Sequence, residues 1–198
     1  MVAFKTMQIR RATHEDVVDI WRIAHELARK PSEEGARGFL VPYRRDEYAD
    51  FVRSAEWFYV LCIEGCIEGF LFAHSQRWAD EFAEEPYAYM QAKYPDADLI
   101  VCQIGLRPTW AGRGLGLALY DHLWREASSL RPDLRAAYCF IRHQPLNQSS
   151  RDFHAHLGWR ELEVYTLRET TGAVSIWRCE PQGWPSSQRA PMAQALVA

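Results

Sequence analysis

DLIVCQIGLRPTWAGRGLGLALYDHLWREASSL, residues Asp98–Leu130, is the stretch whose reading decides the fold. It opens as an apolar, strand-forming run, Leu99–Leu106, and breaks at Arg107-Pro108. Gly112, Gly114 and Gly116 then crowd one short turn, and Leu119, Leu123 and Ala127 follow at helical spacing. A strand, a glycine turn and an amphipathic helix, in that order, leave backbone N–H groups uncovered at the helix start. Glycine has no Cβ to hold a ligand away, and the helix dipole adds positive potential, so the turn suits an anion such as a phosphate.

Spacing narrows the kind of phosphate turn. A Walker loop requires Lys and then Ser or Thr after its last glycine, and Leu117-Ala118 stand there. A dinucleotide fingerprint requires Gly-x-Gly-x-x-Gly and a later acidic residue; here the glycines alternate, and the next strand, Ala136–Ile141, ends at Arg142. A second segment, Asn147–Trp159, reads NQSSRDFHAHLGW. Together the two segments resemble the GNAT family of N-acetyltransferases. The first of that family's patterns is [RQ]-x-x-G-x-[GA], and Gly114 and Gly116 fall on its small positions, with Ala111 where Arg or Gln is usual. The second is N-x-x-A-x-x-x-Y-x-x-x-G-[FW], with Asn147, Gly158 and Trp159 in register and His154 at the tyrosine position.

The order of elements carries the resemblance from Gln8 to Glu180. Met7–Arg11 reads as a strand, and Thr13-His14-Glu15-Asp16 as a capping-box start to a helix. Pro31–Pro42 is a loop, Asp46–Ser54 a second helix, and Trp57–Ile63 and Cys66–His74 a hairpin around Glu64-Gly65. After the glycine turn and its helix come the strand Ala136–Ile141, a helix Ser149–Leu157, and a hairpin of Glu161–Glu169 with Ala173–Glu180 around Thr171-Gly172. The expected fold is α/β with a mixed sheet: about seven strands and four main helices, one domain over residues 1–180, and a loose tail over 181–198. The resemblance further implies that strands four and five, Leu99–Leu106 and Ala136–Ile141, splay apart to admit the pantetheine arm of acetyl-CoA, with Gly105 marking the bulge where the splay begins.

Acetyl-CoA is the implied acyl donor, and a primary amine of a small molecule or peptide attacks it directly. The implied cofactor contacts are Leu106, Arg107, Gly112, Arg113, Gly114, Leu115, Gly116, Leu117, Asn147 and Arg151, with Arg113 or Arg107 making up for Ala111. The Leu106 N–H is the implied oxyanion donor, a role suited to a strand end aimed at developing charge. Asn147, Ser150, Arg151 and His154 fall at i, i+3, i+4 and i+7 on one helical face. That face turns His154 toward the leaving thiolate, where an imidazole can donate a proton. Water or Tyr138 are the other donors, with His154 then a cap-adjacent histidine. Glu68 is the candidate base, beside His74 and a water oriented by Gln103.

The insertion Gln76–Asp98 sets acidic residues among aromatic rings, with a helix expected over Ala79–Lys93 and interrupted near Pro86. It reads either as a cradle for a cationic amine or as an amphipathic helix with a solvated acidic face. A formal net charge of −3 over 198 residues leaves no polybasic footprint for nucleic acid. No apolar run spans a membrane and MVAFKTMQIRRA lacks a signal core, so the expected location is cytoplasmic. The five cysteines, with Cys62, Cys102 and Cys139 inside apolar runs, read as reduced thiols, and Cys62 with Cys66 lacks the second pair a zinc site needs. No metal is expected. A homodimer is left open. Two competing functions remain: a non-catalytic acyl-CoA-binding regulatory module, and a protein lysine or N-terminal acetyltransferase.

Overall fold

Trp57–Ile63 (β2) and Cys66–His74 (β3) form the centre of the sheet, joined by a turn in which Glu64 and Gly65 take positive φ angles of 52° and 82°. That pair of angles gives the twist a two-residue hairpin needs. The computed structural model describes residues 6–28, 39–75, 85–168 and 172–180. Every residue of β2 is buried because both faces of the sheet are covered. Trp57, Tyr59 and Leu61 pack on the side of Leu115–Leu130 (α4), and Phe58 and Val60 pack on the side of Val17–Glu26 (α1) and Arg45–Ser54 (α2). At the start of α1 the Asp16 carboxylate accepts from Thr13 N at 2.7 Å and from Arg10 at 2.7 and 2.8 Å, which satisfies the predicted capping box.

The sheet order is β1-β2-β3-β4-β5-β7-β6, with Met7–Arg11 (β1), Leu99–Leu106 (β4), Ala137–Gln144 (β5), Arg160–Thr166 (β6) and Ala173–Cys179 (β7). Only β4 and β5 run parallel; the other neighbours are antiparallel. Gln148–His156 (α5) packs Phe153 and Leu157 against the α4 face. The expected architecture of a seven-stranded mixed sheet flanked by helices is the observed one.

Two expectations change. The helices number five among the described residues, because Glu85–Lys93 (α3) covers Ile100, Tyr138 and Ile176. Pro86 is the second residue of α3 and starts it, since a first-turn proline lacks an N–H that has no helical partner anyway. Residues 76–84, and with them the expected start at Ala79, lie outside the described residues, as do 29–38, 169–171 and the tail 181–198.

The second change is where β4 leaves β5. Their pairing stops after Leu99–Ala137, Ile100–Tyr138 and Val101–Cys139. On the other side of β4, Val101 pairs with Ala73 and Gln103 with Phe72, so Cys102 is the extra residue of a bulge. The splay therefore begins at Cys102, not at Gly105. Gly105 serves packing instead: a Cβ there would stand 3.0 Å from each of Leu27, Leu40 and Phe70.

Candidate active site

Where the strands part, two cavities open into the gap. One, of about 600 Å³, lies against the start of α4 and is lined by Leu106, Trp110, Gly112, Gly114, Gly116 and Phe153 among others. The other, of about 620 Å³, is walled by Val41, Tyr43, Tyr87, Gln103, Phe140 and Arg142 among others. Phe39, Leu40, Ile104, Asn147 and Ser150 line both, so the two spaces meet at the gap. A ligand entering from each side would bring its reactive end to the same place.

The glycine turn does two separate jobs. Gly112 and Gly114 hold left-handed φ angles of 74° and 75°, which other residues adopt only at a cost. The first helical bond is Ala118 N to Gly114 O at 3.1 Å, so the N–H groups of Leu115, Gly116 and Leu117 have no partner within the helix. Gly116 itself is needed for contact: a Cβ there would lie 2.8 Å from Phe153 Cζ. The Arg113 guanidinium sits 5.0 Å over the Trp110 ring, whose indole lines this cavity.

The gap also has backbone donors. Arg107 N donates to Glu68 O at 2.9 Å, and Leu106 and Gly105 stand opposite Gly69 and Phe70. Antiparallel pairs alternate, so the N–H groups of Leu106 and Ile104 turn away from β3 and face the space vacated by β5. Two buried amides fasten the segment at 39–41 across that space. Asn147 caps α5 by accepting from Ser150 N at 3.2 Å and donates to Phe39 O at 2.8 Å. Gln103 accepts from Tyr48 Oη at 2.7 Å and donates to Val41 O at 2.7 Å, leaving it a tether and not a holder of water.

His154 is 3% exposed and lines the second cavity. Its Nδ1 lies 2.7 Å from Ser150 O and its Nε2 2.8 Å from Tyr120 Oη, an arrangement that assigns the proton to Nδ1 and makes Nε2 the acceptor. Burial pushes its pKa down to about 4, so the ring is neutral with both nitrogens engaged. Ser150, one turn before it, lines both cavities, with its hydroxyl 3.4 Å from His154 Nδ1.

Other sequence candidates are drawn elsewhere. Glu68 is the extra residue of a bulge between β2 and β3, and it pairs with Arg107 Nε at 3.4 Å. Arg107 also pairs with Glu26, and neither Arg107 nor Glu68 lines either of these two cavities. Arg151 places both ends of its guanidinium on Glu161, at 2.9 and 2.6 Å, and stacks over Trp177, and it lines neither cavity. Tyr138 donates to Asp96 at 2.8 Å and accepts from Arg178 at 2.9 Å, away from both cavities. His74 is buried against Tyr87, with Nδ1 2.7 Å from Ser75 O, and burial pushes it down to about 4.

The structure thus gathers Leu106, Gly112, Gly114, Leu115, Gly116, Leu117, Asn147 and His154 around the gap, with Arg113 at its rim. It leaves Arg107, Arg151 and Glu68 outside. Sequence reasoning gave no site role to Arg142 or Tyr120, and none of its own to Ser150. Ser150 was within reach, because it stands at the alanine position of the second pattern, on the helical face already recognised. Among the described residues, no group of three or more His, Cys, Asp or Glu side chains is placed to hold a metal ion.

A split parallel strand pair, a glycine-led helix start beside the split and a second cavity meeting the first there are the features that the fold brings together. The model of the acetyltransferase (GNAT) family matches residues 17–159, and the chain belongs to that family. It is a GNAT-family acyltransferase. The ribosomal-protein-S18-alanine N-acetyltransferase from Escherichia coli shares the fold at 15% identity and TM-score 0.60, over 88% of this chain and 94% of that one. The yncA protein from Salmonella typhimurium, solved with its cofactor acetyl-CoA, does so at 18% identity and TM-score 0.58, over 88% and 94%. An Arabidopsis thaliana protein in complex with the bisubstrate analogue CoA-Ac-MVNAL does so at 13% and 0.60, over 88% and 98%. No curated protein sequence matches the chain.

Proposed function

We propose that the chain transfers an acetyl group from acetyl-CoA to the primary amine of a small molecule by direct attack. The observation that carries this reading is the meeting of two cavities at Ile104, Asn147 and Ser150, one of them ending at a bare helix start. The pyrophosphate rests on the N–H groups of Leu115, Gly116 and Leu117, with Arg113 at the rim. The pantetheine arm runs past Leu106 and Phe153 into the gap. There the thioester carbonyl oxygen points at the Leu106 N–H group, which stabilises the charge it gains.

The amine nitrogen, entering from the second cavity, bonds to the carbonyl carbon. The carbon–sulfur bond then breaks, the nitrogen gives its proton to water, and the thiolate takes a proton from water through the Ser150 hydroxyl, which gives one proton and regains one. His154 is a positioning residue in this scheme: neutral, fixed by Tyr120, and holding the turn of α5 that carries Ser150. Glu85 is the one carboxylate among the described residues lining either cavity, and its oxygens accept from Tyr165 Oη and Arg168 N, which disfavours it as a base. The five free thiols fit a cytoplasmic setting, and no described helix is long and apolar enough to cross a membrane.

Thiol release from acetyl-CoA over an amine panel tests the reading. We expect turnover, and Ser150→Ala to lower kcat about 100-fold with the acetyl-CoA KM little changed. Tight acetyl-CoA binding without turnover of any amine would identify a regulatory binding module instead. The fold shared with a protein that accommodates a peptide-bearing bisubstrate analogue favours a second reading, N-terminal peptide acetylation. Peptides outperforming free amines would select it.

A further inference from the structure

The second cavity presents a cation and no available anion. Arg142 lines it, and among the described residues its guanidinium has no carboxylate or hydrogen-bond partner. Arg142 is partly buried at the wall of this cavity, where a guanidinium without a protein partner is placed to receive an anionic ligand. Glu85, in the same cavity, is occupied by Tyr165 at 2.7 Å, by Arg168 N at 2.8 and 2.9 Å, and by Arg168 Nε at 3.7 Å. The described acids of the insertion that suggested a cationic acceptor are engaged as well: Asp96 with Tyr138 and Arg178, and Asp98 with Arg131 at 3.6 Å.

Position along the strands limits how far the anion can be from the reacting nitrogen. Val101 and Cys139 are the last paired residues of β4 and β5. Arg142 lies three residues past Cys139 and Ile104 three past Val101, so each is about 10 Å beyond the pairing, less the extra residue at the bulge. The Arg142 backbone therefore stands across the gap at roughly the level of Ile104, and its side chain lines the cavity that opens there. Around it Phe39, Val41, Tyr43, Tyr87 and Phe140 form an apolar wall, with Tyr87 edge-on to Phe140 at 5.0 Å.

Resting on the acetyltransferase reading above, we infer that Arg142 holds the carboxylate of the acceptor, which is an α-amino acid with an apolar side chain. A carboxylate meets the two-pronged guanidinium through a pair of parallel hydrogen bonds. The neighbouring amine then points at the gap while the side chain lies on the aromatic wall. A cationic polyamine or an aminoglycoside would meet repulsion at Arg142.

Binding of N-acetyl amino acids (alanine, leucine, phenylalanine and tyrosine), each against its own carboxamide, tests this on the CoA-loaded protein by calorimetry. At least one carboxylate should bind about ten-fold or more tightly than its amide. Arg142→Ala should abolish that difference, Arg142→Lys should keep part of it, and acetyl-CoA binding should be unchanged in both, since Arg142 does not line the cofactor cavity. No preference in any pair, or a preference that survives Arg142→Ala, overturns the inference. Turnover separates it from the reading beneath it. Phenethylamine acetylated as well as phenylalanine, without carboxylate preference in binding, removes the inference and leaves the acetyltransferase standing. Arg142-dependent binding without acetylation of any amine does the reverse.

Discussion

His154 and its neighbours show what a single residue's surroundings add to its place in a pattern. Helical spacing put Asn147, Ser150 and His154 on one face of α5, and all three line the gap. Arg151 shares that spacing yet turns to Glu161, because an acid from β6 lies within reach. The helix face was legible; the burial of His154 beside Tyr120, brought from α4, was not. Burial has a consequence for stability. His154 and His74 each have a folded-state pKa of about 4, below the ordinary value of 6.5, so between those values the unfolded chain binds more protons than the folded one. Stability is therefore present at neutral pH and falls as pH drops from about 6.5 toward 4, by about 3 kcal/mol for each ring at most. Urea midpoints measured from pH 7 to 4.5 should fall steeply in the wild type. A His154→Leu variant should be less stable at pH 7 but flatter with pH, and an equally steep slope would mean the ring is not held neutral.

At the scale of elements, the glycine turn shows that like residues in sequence can have unlike reasons. By sequence, Gly112, Gly114 and Gly116 form one bare anion cradle. Two of them take positive φ, while the third sits within α4 and lets Phe153 of α5 approach. Local sequence foretells a turn, but a contact between residues 116 and 153 depends on how two helices cross. A Cβ at position 112 meets nothing within 4 Å. Gly112→Ala should accordingly lower stability by about 1–2 kcal/mol through backbone strain alone. Gly116→Ala, at a helical position where alanine is otherwise preferred, should instead weaken acetyl-CoA binding, because α5 must shift and carries Asn147 and Ser150 with it. Urea midpoints and acetyl-CoA affinities of the two variants check this contrast. A Gly116→Ala protein that is more stable and binds normally would refute it. The bulge at Cys102 belongs to the same scale: strand propensity marked Leu99–Leu106, but the residue that breaks register is fixed by pairing with β3.

Over the whole molecule, the sheet is two halves, β1–β4 and β5–β7, joined by only three residue pairs. The gap leaves the Ile104 and Leu106 N–H groups without strand partners, so in the free enzyme their amides should exchange quickly with solvent while those of β2 are protected. Acetyl-CoA filling the gap should slow exchange at Ile104, Leu106 and the first turn of α4, and should raise the Tm with ligand concentration. Hydrogen exchange followed residue by residue measures this, and unchanged exchange at those amides would place the ligand elsewhere. By itself the sequence determined the order of strands and helices, the glycine-led helix start and the family pattern, because hydrophobic period, glycine and capping residues act over a few neighbouring positions. Only the tertiary structure decided where β4 parts from β5, which arginines are held by acids, that His154 is buried, and that Arg142 lines the cavity with Tyr87 and Phe140. Those depend on burial and on partners tens of residues away, and no local pattern records which distant charge will come within reach.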